Sequence, residues 1–322
     1  DEYGKFMPVV LRSFDDYKPA LYAYLTIPSI AIFDLNTFAV RLPSAIFGIL
    51  TVLATYFLLK ELFGQRRATQ NKTQNKSEEK GKHWILDIVH LKLDIPIVAT
   101  ALLAISPWHI QFSRIAFETN VGLAFNIFGA LFFIKGLKHR WLLFLSVLSF
   151  ACSIYVYQSE KVFTPLFALL LIVLYRKELF SISKKYLIAV VLVGFVAILP
   201  MVNYIVTDKN SLTRARGVSV FAEQTQILRN AQIKSLDDMK SGDLFGQVFH
   251  NRRVVYANEV ISGYLSHYNF NWLFIKGDLV RHHAPSMGLL YLWELPFLLI
   301  GIYLLLFGNF PKQTKWFIFL WF

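Results

Sequence analysis

One cysteine, Cys152, stands in the 322 residues. An intrachain disulfide is excluded, and one sulfur cannot build a thiolate metal cluster. The chain contains no His-Glu-x-x-His or Cys-x-x-Cys spacing, no Walker loop and no Gly-x-Gly-x-x-Gly turn. Charge is sparse as well, at 17% of residues, and acids are the scarcer sign: 21 Asp and Glu face 33 Lys and Arg, for a net charge of +12. In a soluble protein that excess would point to nucleic acid. Here most of it sits in loops between apolar runs, so membrane topology accounts for it, and no nucleic-acid partner is expected.

What is present is apolar and aromatic. Hydrophobic residues make up 55% of the chain, with 30 Phe, 15 Tyr and 7 Trp, a composition suited to a bilayer core and its interfacial belts. Long unbroken apolar runs exclude a membrane β-barrel, whose strands alternate over about ten residues. The fold class is an all-α polytopic membrane protein. The runs that can span are Phe38–Phe63, Ile85–Trp108, Thr119–Ile134, Trp141–Tyr157, Val162–Tyr175, Tyr186–Val206 and Gly288–Phe307, with a last one beginning near Trp316. Several fall short of the roughly 20 residues a crossing needs and would recruit flanking residues. The expected organisation is an outer loop over 1–37, about six spans over 38–206, a long outer loop over 207–287, and one span and the start of another over 288–322.

Charge orients these spans. The loop from Lys60 to Lys92 is basic and of low complexity, which predicts a disordered cytoplasmic segment. The hairpin Lys135–Arg140, the loop Arg176–Lys185 and the turn Pro311–Lys315 are also basic, and alternation puts all four on one side. The Asn-x-Ser/Thr matches at Asn71 and Asn75 then lie on the cytoplasmic side, away from glycan transfer. The same parity leaves 1–37, Pro107–Glu118, Gln158–Lys161 and Thr207–Met287 outside. The run Leu21–Phe33 is too short to span and is interrupted by Pro28, so it reads as a helix lying in the outer interface.

Unusual polar residues collect on that outer side, where ionisable groups at the mouth of a bundle mark a substrate path. Glu118 opens a span: it is either a carboxylate that takes a proton from an acceptor, or a helix N-terminal acid that complements the dipole. Lys18 either holds a phosphate or snorkels to headgroups; Pro19 beside it stiffens the backbone at a helix start. Arg114 is a phosphate ligand or an interfacial anchor. Arg281 and His282, with His283, form a phosphate clamp, a metal site or a solvated loop; adjacent histidines are not an i, i+4 ligand pair, so no metal ligand is assigned. Asp16, Tyr17, His109 and Tyr157 are candidates for the cavity wall, with an aromatic-belt role as the alternative for Tyr157. With no nucleotide-binding motif, a donor carried by a lipid on the outer side fits better than a soluble nucleotide-activated one.

Five stretches carry a family resemblance. Gly4-Lys5-Phe6-Met7-Pro8, then Asp16-Tyr17-Lys18-Pro19-Ala20-Leu21-Tyr22, then Phe38-Ala39-Val40-Arg41-Leu42-Pro43-Ser44 resemble the first outer loop of GT-C fold glycosyltransferases. The chain resembles bacterial protein O-mannosyltransferases and lipid A aminoarabinose transferases. Ser106-Pro107-Trp108-His109-Ile110-Gln111-Phe112-Ser113-Arg114 through Glu118 is similar to their second outer loop, and Gly288 to Pro296 resembles bacterial homologues more loosely. The likeness covers about the first 180 residues.

The resemblance implies a GT-C helix bundle with interfacial helices in its first outer loop, seated in a bacterial cytoplasmic membrane with its site outward. It implies transfer of a sugar, with inversion, from a polyprenyl-phosphate carrier to a protein, lipid or glycan acceptor in the cell envelope. Lys18 then matches a lysine that contacts the donor phosphate, and Glu118 matches a second outer-loop acid. Arg114, Arg281 and His282 would join Lys18 around the phosphate. A divalent metal is left open. The family's first acid lies in an Asp-Glu pair farther upstream of the Lys-Pro motif than Asp1-Glu2 stands here. Asp1 has no span before it, and the apolar run Trp316–Phe322 is too short to cross. The chain therefore reads as a fragment lacking that acid, and is expected to be inactive as it stands. The rival readings are an oligosaccharide ligase or polymerase using a diphosphate-linked donor, a transporter or flippase, and a non-catalytic scaffold. A transporter would show internal repeats and midplane charges.

Overall fold

Phe38 and the apolar residues after it fold as one long helix. A computed structural model describes residues 6–13, 16–73, 94–208, 211, 226–279, 286–308 and 310–321. Its first elements are two short antiparallel strands, β1 (Val10–Ser13) and β2 (Asp16–Pro19), in the register Val10 with Pro19 and Leu11 with Lys18. Sequence reasoning did not anticipate this hairpin. Helix α1 (Leu21–Phe33) has the bounds expected of the interfacial run, but it continues through Pro28. Thr26 Oγ1 donates to the Ala23 carbonyl at 2.7 Å, and Ser29 Oγ lies 2.8 Å from the Thr26 carbonyl and 2.6 Å from that of Ala39. Hydroxyls beside a proline ring satisfy backbone groups in this way where water is scarce.

A tight turn follows. Asp34 takes a left-handed φ of 61°, and Asn36 Oδ1 accepts from the Ala39 amide at 2.9 Å. Helix α2 (Thr37–Thr73) then runs past Phe63 into the segment read as a disordered loop. Glu, Leu, Gln, Arg and Ala in that segment are strong helix formers, and extending an existing helix needs no new nucleus. The remainder of that loop, 74–93, lies outside the described residues.

Next come α3 (Ile95–Ile105) and α4 (Pro107–Arg114), bent by 58° at Ser106. Pro107 explains the bend, because its ring disfavours a helical residue before it. Then follow α5 (Glu118–Gly136), α6 (Leu142–Val156), α7 (Glu160–Leu174), the single turn α8 (Arg176–Leu179) and α9 (Lys184–Thr207). The segment read as a long outer loop is largely helical where it is described: α10 (Gln226–Ser241), α11 (Leu244–Phe249), α12 (Arg252–Ser266) and a π-helical turn over Asn271–Lys276. A 3₁₀ turn over Leu292–Glu294 leads into α13 (Leu295–Phe307), and α14 (Lys312–Trp321) closes the order.

α2 up to Phe63, α5 and α9 are each long and apolar enough to cross a membrane, and the bent pair α3–α4 is a fourth if taken as one span. α1, α6 and the run Leu292–Phe307 are apolar but shorter. The chain is thus an all-α polytopic membrane protein. Among the described residues, α5 and α6 pack most extensively, and a β-carbon on Gly129 would overlap the Phe150 ring. Ser146 Oγ donates to the Gly129 carbonyl at 2.8 Å. Close approach over glycine is how apolar helices gain contact when lipid is as apolar as their side chains. Ala130, Leu131, Ile134, Phe150, Phe167 and Leu171 fill the core around this seam.

The basic segments gather at one end. Lys138 Nζ pairs with Glu61 at 3.0 Å, Gln313 Nε2 donates to Glu178 Oε1 at 2.8 Å, and Thr314 Oγ1 donates to the Leu62 carbonyl at 3.1 Å. The hairpin, α1, α4 and the start of α5 lie at the other end.

Candidate functional site

Two small residues on α2 create the seat for the site. Ser44 and Gly48 follow one another by one helical turn, a small-x-x-x-small pattern that lets a neighbouring helix come close. α4 uses it. Ser44 Oγ donates to the Phe112 carbonyl at 3.0 Å, and a β-carbon on Gly48 would overlap the side chain of Ser113. His109 Nε2 lies 3.3 Å from the Gly48 carbonyl. Asn120, at the start of α5, adds a third tie: its Nδ2 donates to the Ser44 carbonyl at 2.9 Å and lies 3.2 Å from Ser44 Oγ. α4 and the first turn of α5 are thereby locked against α2, and Glu118 is held at the mouth between them.

The hairpin brings the other half. The Ala20 amide donates to the Val9 carbonyl at 3.0 Å, and the Tyr24 hydroxyl donates to the Pro8 carbonyl at 2.6 Å, folding the strands back onto α1. Gln158 Nε2, in the turn between α6 and α7, donates to the Tyr17 carbonyl. Lys18 is the next residue along β2. Its Nζ reaches 3.8 Å from Glu118 Oε1, with 46% of the lysine side chain and 26% of the glutamate side chain exposed. The two charges meet at a surface, where such a pair contributes about 0–1 kcal/mol. It holds both groups near one point without committing the lysine, whose side chain stays nearly half exposed.

Tyr22 lies buried near Glu118 and was not singled out from the sequence. It is 7% exposed, and its hydroxyl donates to the Val40 carbonyl at 3.0 Å. Burial, reinforced by the nearby negative charge of Glu118, pushes its pKa up to about 12. Its place in the Tyr17–Tyr22 motif, four residues after Lys18, was the available signal. Ser44 and Gly48 could likewise have been found from their spacing.

The remaining candidates are placed as follows. Tyr17 sits on β2 with its carbonyl gripped by Gln158. Asp16 begins that strand, its backbone in register with Ser13. Tyr157 ends α6 and packs by Tyr22, Val121 and Val156. Arg114 is exposed in the last turn of α4, where a cation complements the helix dipole. His109 is 3% exposed and lies inside the α4–α2 contact, stacked edge-on with Trp108 at 5.4 Å. Arg281 and His282 lie outside the described residues. The segment just after them returns to the site: the Trp108 amide donates to the Leu289 carbonyl at 3.3 Å.

The arrangement defines a multi-pass membrane protein carrying a cation–carboxylate pair at one end of its bundle, with aromatic and amide groups around it. Residues 17–71, which contain Lys18, Tyr22, Ser44 and Gly48, match the family model of dolichyl-phosphate-mannose-protein mannosyltransferases. That similarity supports a membrane glycosyltransferase using a lipid-linked sugar. Neither the curated proteins nor the solved structures contain a match.

Proposed function

We propose that this chain is a GT-C glycosyltransferase that moves a sugar from a polyprenyl-phosphate carrier to a protein, lipid or glycan acceptor. The observation that carries the reading is the meeting of Lys18 and Glu118 at 3.8 Å, from a hairpin and a helix start far apart in sequence. The family match over residues 17–71 supports it.

The chemistry is one displacement. An acceptor hydroxyl or amine attacks the anomeric carbon, the bond from that carbon to the phosphate oxygen breaks, and the phosphate leaves with the electron pair. Lys18 stabilises the charge that builds on the leaving oxygen, with Arg114 and the Arg281–His282 segment as further cationic groups. Glu118 orients the acceptor and receives its proton. Asp16, Tyr17 and Tyr157 shape the surroundings of the sugar and phosphate, while His109, buried against Gly48, holds α4 on α2. The gathering of basic segments at the other end of the bundle, read by the positive-inside rule, supports a site on the outer face of a bacterial cytoplasmic membrane.

The test is sugar transfer by membranes containing the complete gene product, supplied with polyprenyl monophosphate sugars. The expected result is transfer that Lys18→Ala and Glu118→Ala each reduce severely. Wild-type rates in both variants would remove both residues from the mechanism. Transfer only from diphosphate-linked oligosaccharides would replace the reading with that of a ligase.

A further inference from the structure

Helix α5 presents Glu118, Gly122 and Asn126 at intervals of four, one above another on one face. Gly122 leaves a gap there, and the side chain of Glu160, from the first turn of α7, fills it: a β-carbon on Gly122 would lie 3.0 Å from Glu160 Oε1 and 3.2 Å from its Cγ. Asn126 Nδ2 donates to Glu160 Oε2 at 2.6 Å. Thr164 Oγ1 lies 3.0 Å from the same oxygen, 3.0 Å from Asn126 Oδ1 and 3.3 Å from Ser153 Oγ. Ser153 Oγ in turn donates to the Gly122 carbonyl at 3.2 Å. Glu160 is 8% exposed, Asn126 and Thr164 are 1% exposed and Ser153 is fully buried. Three helices, α5, α6 and α7, are tied through one carboxyl group.

A buried ionisable group costs stability that well-packed apolar residues would not, so its place needs a reason. The reason lies two residues away. Gln158, in the turn that Glu160 ends, holds the carbonyl of Tyr17 and with it the strand that presents Lys18. The partners of Glu160 sit on the α5 face that presents Glu118. One side chain therefore joins the element carrying the acid to the turn holding the strand that carries the cation.

We propose that Glu160 is a positioning residue that sets the separation of Lys18 and Glu118, acting through Gly122 and Asn126 on one side and through Gln158 and Tyr17 on the other. The inference rests on the reading of Lys18 and Glu118 as one site, but its geometric content can be tested without sugar transfer.

The experiment is cross-linking in membranes. In a Cys152→Ser background, which removes the native thiol, Lys18→Cys and Glu118→Cys are joined by a short bis-thiosulfonate reagent in the complete gene product, without donor. Efficient cross-linking is expected in this parent. Glu160→Ala should lower the yield at least threefold. Glu160→Gln, whose amide oxygen still accepts from Asn126, should restore most of it. Gln158→Ala, which leaves the buried group intact, should lower it as well. Unchanged yield in Glu160→Ala overturns the proposal. Should that variant fail to accumulate, the near-isosteric Thr164→Val and Gln158→Ala decide: reduced yield in both supports the proposal, and unchanged yield in either overturns it. A parent that cross-links as expected while the wild type transfers no lipid-linked sugar would sink the glycosyltransferase reading alone. On active protein, Glu160→Ala should lower kcat about tenfold, with Glu160→Gln rescuing it.

Discussion

Gly48 of α2 and Ser113 of α4 are in direct contact, and a β-carbon on Gly48 would overlap the serine side chain. The contact belongs to the lock that holds α4, and hence Glu118, against the start of α2. Gly48→Ala must push the two helices apart, and overpacking of this kind costs about 1–3 kcal/mol. The expected outcome is a lower unfolding temperature in detergent together with loss of sugar transfer. Gly263→Ala, at a position with open space around it, should leave transfer unchanged.

Lys18 and Glu118 should separate activity from stability. Their pair is partly exposed, and such pairs are worth about 0–1 kcal/mol. Lys18→Ala is therefore expected to leave the unfolding transition almost where it is while lowering kcat/KM about 10²-fold, the usual loss when one stabilising group leaves a developing anion. Glu118→Gln should cost about 10²–10⁴-fold if the carboxylate takes the acceptor proton. A matching fall in unfolding temperature would mean that the pair serves the fold instead.

Tyr22 gives a pH signature. Burial first, and the charge of Glu118 second, raise its pKa from the ordinary 10.0 to about 12. Between those values the unfolded phenol has lost its proton while the folded one keeps it, so stability falls as pH rises. Wild-type protein should lose stability more steeply than Tyr22→Phe from pH 10 to pH 12. Below pH 10 the substitution should cost about 1 kcal/mol, the value of the hydrogen bond to Val40. Parallel curves for the two proteins across the alkaline range would contradict the assignment.

The orientation of the bundle can be checked by labelling. In a Cys152→Ser background, a membrane-impermeant maleimide is expected to label Arg114→Cys in right-side-out vesicles. Arg140→Cys, in the basic hairpin at the other end, should react only after permeabilisation. The reverse pattern would put the Lys18–Glu118 site on the cytoplasmic side.

Much of the scaffold was legible because apolar length and breaker residues act locally. The bounds of α1, the starts of the long helices and the break before Pro107 follow from runs of side chains that have nowhere to go but lipid or protein. The hairpin was not legible, because Val10–Ser13 and Asp16–Pro19 are four residues each and gain their stability from α1 and Gln158. Pro28 looked like an interruption only while its neighbours' hydroxyls were left out. The run beyond Phe63 looked disordered because composition does not report that a helix is already in place to be extended.

Lys18 and Glu118 could each be singled out from the sequence, one beside a proline and the other opening a span. Each was left with a bland alternative, since a lone lysine or a lone N-terminal acid has several uses. By itself the sequence determined an apolar, cysteine-poor, helical membrane protein with its basic segments on one side. Tertiary structure alone decided that the lysine and the acid meet, that Ser44 and Gly48 seat the helix between them, and that Glu160 is buried where both halves join. Those relations depend on distances between helices, and interhelical distance is set by which small residues face each other, a quantity no single segment carries.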